Sequence, residues 1–132
     1  MTEDPSPVGE AAYSDSGLLA ILARLSLLGA ALAIIVAVFL PPWMVPNFVR
    51  SNYLQHFAAF YVLMLAGLAA MPRRRLRRIT VYIAAFATAL EATHLFGGAA
   101  FYPLVRNWVA DLGGITAALA PVVVERFRRR FP

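Results

Sequence analysis

Apolar residues in this chain do not alternate with polar ones. They run together in four blocks, 18–40, 54–71, 79–96 and 108–124, separated by proline, glycine and arginine. Blocks of ~17 residues or more reach the length a helix needs to cross a bilayer. In hydrocarbon every backbone N–H and C=O must be bonded within the protein, which leaves helices or a closed barrel. No period-two alternation points to strands, so the expected fold is all-α, a bundle of four transmembrane helices. Pro41-Pro42 and Pro72 end the first two spans, because proline lacks the N–H donor and clashes with the preceding turn. Gly97-Gly98 and Pro103 mark the last connection, and Trp43, Phe48, Tyr53, Phe101 and Tyr102 are residue types that favour a membrane interface.

Outside the blocks the chain is polar. Residues 1–16 hold Glu3, Asp4, Glu10 and Asp15 and no base. They bury too little to order themselves and are read as a disordered cytoplasmic tail. They lack the basic start and short apolar core of a signal peptide. Residues 17–125 form the membrane domain, and 126–132 a basic cytoplasmic tail.

Composition agrees. The 132 residues are 61% apolar and 14% charged, against ~45–50% and ~25% in soluble domains, and mean hydropathy is +0.68. Too little polar surface remains to cover a soluble bundle. The absence of cysteine excludes disulfides, thiolate metal sites and cysteine nucleophiles.

All twelve basic residues are arginine and the net charge is +5. They stand in short blocks beside apolar runs, with no aromatic-basic interleaving of a soluble fold, which fits lipid headgroups and topology rather than nucleic acid. Five (Arg73, Arg74, Arg75, Arg77, Arg78) fall between spans two and three, and four (Arg126, Arg128, Arg129, Arg130) follow span four. The opposite loops hold Arg50 and Arg106. Nine against two predicts both termini in the cytoplasm of a multi-pass protein.

The informative exceptions are ionisable residues inside the spans. A charge at mid-bilayer costs roughly 2.5–3.5 kcal/mol on insertion scales. His56 opens span two, Glu91 and His94 close span three, and Asp111 lies near the start of span four, so all four fall within about 8 Å of the outer interface at ~1.5 Å per residue. Thr88, Glu91 and His94 are spaced to share one helix side, and Asn107, Asp111, Gly114 and Ala118 form a small polar stripe suited to a helix seam. Gly113-x-x-x-Ala117, Ala85-x-x-x-Ala89 and Ala66-x-x-x-Ala70 extend that pattern. The first expectation for the cluster is a hydrogen-bonded group that pins three helices. As a metal set, His56, Glu91, His94 and Asp111 would suit zinc, iron or manganese. A di-metal bundle site would need a second Glu-x-x-His, which is missing. Arg106 and Arg50 are interfacial anchors, or contacts for a phosphate or headgroup. The inner halves of the spans hold only Tyr82, Thr80 and Thr116, too few for a proton path. No phosphate-binding glycine loop, catalytic triad order or nucleophile elbow is present, and no cofactor is expected.

The second to fourth spans resemble the VanZ-like family of small bacterial membrane proteins. The resemblance rests on His56 in "LQHFAAFYVL", on Glu91 in "LEATHLF", and on Asn107, Asp111 and Gly114 in "NWVADLGGITAAL", over residues 51–120. His94 stands where the family has Gln, Asn107 where it has Asp, and Asn52-Tyr53 where it has Asp-Lys. The resemblance implies a multi-pass protein of the bacterial inner membrane and envelope, and supplies no mechanism. The expected function is therefore non-enzymatic, with an outward polar cluster (His56, Glu91, His94, Asp111, Asn107, Arg106) that binds an envelope lipid or glycan-lipid headgroup. The alternatives are an accessory subunit of a larger membrane complex and an intramembrane enzyme acting on a lipid-linked phosphate.

Overall fold

The computed structural model describes residues 17–131; the expected tail 1–16 lies outside them. Four helices follow in order: α1 (Leu18–Phe39), α2 (Asn52–Ala70), α3 (Leu76–Phe96) and α4 (Phe101–Arg130), with a single 3₁₀ turn over Pro42–Met44. All four are long and apolar enough to cross a membrane, and no strand occurs among the described residues. The described residues form an all-helical fold, and its four apolar helices are those of a multi-pass membrane protein.

The ends follow local rules. Leu40 is extended (ψ 146°), because a residue before proline is kept out of the helical region. Ser51 caps α2 by accepting the Leu54 N–H at 3.4 Å. Gly98 takes φ +87° and closes α3 with the Gly98 N–H donating to the Leu95 carbonyl at 3.1 Å, a left-handed stop for which glycine is suited.

The helices outrun the apolar blocks. α2 starts at Asn52 rather than 54, α3 at Leu76 rather than 79, and α4 at Phe101 rather than 108. Arginine is a good helix former, so Arg77 and Arg78 join α3, and Arg126 to Arg130 are helical as the end of α4. There Arg129 Nε donates to Glu125 Oε1 at 2.8 Å, one turn away. Pro103 sits in the first turn of α4, where no intrahelical N–H bond is needed. Hydropathy marks the length that faces lipid, whereas the helix extends as far as its backbone bonds can.

The last turns of α1 and α3, the first turns of α2 and the second and third turns of α4 line one cavity, so the chain runs up, down, up, down. α2 touches each of the other helices, most extensively α4. The shared core is Phe60, Leu63 and Met64 of α2, Ile79, Ile83, Ala87 and Leu90 of α3, and Ile115 and Ala118 of α4. α1 adds Leu27, Ala31, Ile34 and Val38 at its edge and turns Leu25, Leu28, Leu32 and Val36 outwards, as a lipid-facing helix should.

The seams are narrower than the small-residue patterns indicate. Ala85 and Ala89 are both exposed and mark no seam between helices of this chain. The close approaches are at Gly114, where an added Cβ would run into the Phe57 carbonyl, and at Gly67, where it would stand 2.8 Å from Ile83 Cδ1.

Candidate functional site

Backbone contact at Phe57 and Gly114 places the preceding turn of each helix side by side. There, His56 Nδ1 lies 2.9 Å from Asp111 Oδ1. Asp111 is 1% exposed, so this bond satisfies a carboxylate that has no access to water. α3 brings Glu91 to the same level, with Oε1 at 3.7 Å from His56 Nδ1. His94, one turn further on, has Nδ1 at 3.6 Å from Glu91 Oε2. Both distances exceed hydrogen-bond length. Glu91 Oε2 is buried with no hydrogen-bond partner.

Above this group, Asn52 Nδ2 donates to Asn107 Oδ1 at 3.1 Å, a second tie between α2 and α4. Gln55 Nε2 donates to the Val49 carbonyl at 2.6 Å and to Asn47 Oδ1 at 3.2 Å, which folds the α1–α2 connection onto α2. The result is a cavity of about 420 Å³ lined by carboxylates, imidazoles and carboxamides. Ile34, Val38, Pro42 and Val45, from α1 and the connection after it, add an apolar part to the lining. Such a site is concave and mixed, the usual form of a small-ligand pocket.

Five of the six residues singled out by sequence line this cavity: His56, Glu91, His94, Asn107 and Asp111. Arg106 does not. Its guanidinium lies over the Tyr53 ring, 4.1 Å from the centroid, with Tyr102 at 5.9 Å, an interfacial cation–π arrangement. Thr88 also stands apart from Glu91 and His94. It accepts the Trp108 indole N–H at 3.0 Å and donates to the Ala84 carbonyl at 2.9 Å, linking α3 to α4 outside the cavity. Asp111 lies ten residues into α4, about 15 Å along its axis, because the first turns of α4 project past the start of α2. Spacing did not single out Gln55, which adjoins His56 in α2, or Asn47 in the α1–α2 connection.

No protein-family model, curated protein or solved structure matches the chain.

Proposed function

We propose that this is a VanZ-like protein of the bacterial inner membrane, non-enzymatic, that holds the polar headgroup of an envelope lipid or glycan-lipid in the cavity. The arginine asymmetry supports an orientation with both termini in the cytoplasm and the cavity facing outwards. The observation that carries the reading is the lining itself. Carboxylates, imidazoles and carboxamides donate to and accept from hydroxyl groups, while the apolar part of the lining, from α1 and the connection after it, matches the part of a lipid next to its headgroup. Without Arg106 or Arg50 among the lining residues, the protein side chains favour a hydroxyl-rich glycan over a bare phosphate. The same fact weakens an enzyme acting on a lipid-linked phosphate.

Native mass spectrometry after mild detergent extraction from bacterial membranes tests this. Wild type is expected to retain a glycan-lipid, and Asn107→Leu to retain at least tenfold less while its helical circular dichroism is unchanged. Wild type without bound lipid, or equal retention by the variant, overturns the reading.

A further inference from the structure

We infer that His56, Glu91 and Asp111 form a binding site for one divalent first-row transition metal ion of the zinc type at the floor of the cavity. This goes beyond the headgroup reading and does not depend on it.

The three side chains come from three helices, and one potential ligand atom of each lies within 4.8 Å of the other two. A tetrahedral ion with bonds of ~2.0–2.2 Å separates its ligand atoms by ~3.3–3.5 Å. The 2.9 and 3.7 Å from His56 Nδ1 to Asp111 and Glu91 bracket that spacing, and the third edge, between the two carboxylates, lies within 4.8 Å, so ion binding would draw Glu91 and Asp111 together by up to about 1.5 Å. Binding exchanges the proton between His56 Nδ1 and Asp111 Oδ1 for the ion.

The missing hydrogen bond at a buried carboxylate oxygen is the independent observation. The Glu91 side chain is 9% exposed and lines the cavity, yet Oε2 has no hydrogen bond. A carboxylate in a low-dielectric interior needs a counter-charge or a proton. Two carboxylates meet here with no arginine among the cavity residues, and neutralising both without a metal would need His56 and His94 protonated together. A divalent ion neutralises both and leaves imidazole neutral, as ligation requires. One nitrogen and two carboxylates suit zinc, manganese or iron. Magnesium and calcium prefer all-oxygen shells. Three protein ligands leave a coordination position open to the cavity. His94, at 3.6 Å from Glu91 Oε2, is near enough to orient that carboxylate.

The test is cobalt(II) titrated into metal-free full-length protein in detergent. Visible d–d bands should saturate at about one equivalent, zinc should displace the cobalt, and magnesium should not. The chain has two histidines, so ring-labelled protein gives two sets of signals. Cobalt should shift or broaden the His56 set most, with assignment from His94→Gln, which keeps all three ligands. Glu91→Gln should weaken zinc binding at least tenfold, while Glu125→Gln on the basic end of α4 should not. The absence of saturable cobalt bands, a paramagnetic effect that spares His56, or wild-type zinc affinity in Glu91→Gln each overturns the proposal. If Glu91→Gln does not fold, the wild-type titration and the His56 signal decide.

Discussion

The Phe57 carbonyl occupies the position where a side chain on Gly114 would have to stand, and the Tyr61 nitrogen would lie 2.9 Å from the same added atom. α2 and α4 therefore meet backbone to backbone, one turn below the His56–Asp111 bond. That contact determines how near the two side chains come.

Gly114→Ala should separate the helices and lower stability by about 1–3 kcal/mol, the usual cost of overpacking. Gly113→Ala, whose new atom would sit 3.4 Å from the Phe57 ring, should be tolerated. Gly29→Ala, with nothing within 4 Å, should be neutral or stabilising by up to ~1 kcal/mol through helix propensity. Thermal unfolding of the three variants in one detergent checks the order. Gly114→Ala melting with the other two would show that α2 and α4 do not touch there.

His56 and Asp111 should be energetically coupled. Interhelical hydrogen bonds in membranes average ~0.6 kcal/mol and reach ~1.7. Removing one partner of a buried bond also leaves the other unpaired, at ~1–3 kcal/mol. In a double-mutant cycle, His56→Ala with Asp111→Ala should cost clearly less than the sum of the singles. Strict additivity would mean that the bond is not formed in the folded protein.

The Thr88–Trp108 link is exposed and lies outside the cavity. Trp108→Phe removes its donor, and the cost should be below ~1 kcal/mol with no change in zinc or lipid binding. A loss of either ligand would extend the site across the α3–α4 seam.

Topology can be read with introduced thiols, since the chain has no cysteine. In intact spheroplasts, a membrane-impermeant maleimide should label Phe48→Cys and leave Arg75→Cys unlabelled until the membrane is opened. The reverse pattern would place the arginine-rich end outside and the cavity towards the cytoplasm.

The four spans and the approximate level of His56, Glu91, His94 and Asp111 follow from one-dimensional information. Burying the backbone in lipid forces helices on any apolar stretch of that length, and axial rise converts sequence position into depth. Helix length was less legible, because arginine and first-turn proline carry polarity or a missing donor without ending a helix. Which polar residues meet depended on how the helices rotate and how closely they pack. Ala85 and Ala89 fit the small-residue spacing and face outwards, whereas Gly114 sits where α2 and α4 touch. Arg106 lies near the right depth but turns onto Tyr53. The pattern of hydropathy thus determined four helices long and apolar enough to cross a membrane among the described residues, with titratable groups near one end of the bundle. Only packing in three dimensions decided that His56, Glu91 and Asp111 share a cavity, because the direction of a side chain around its helix is selected by contacts with residues far away in the chain.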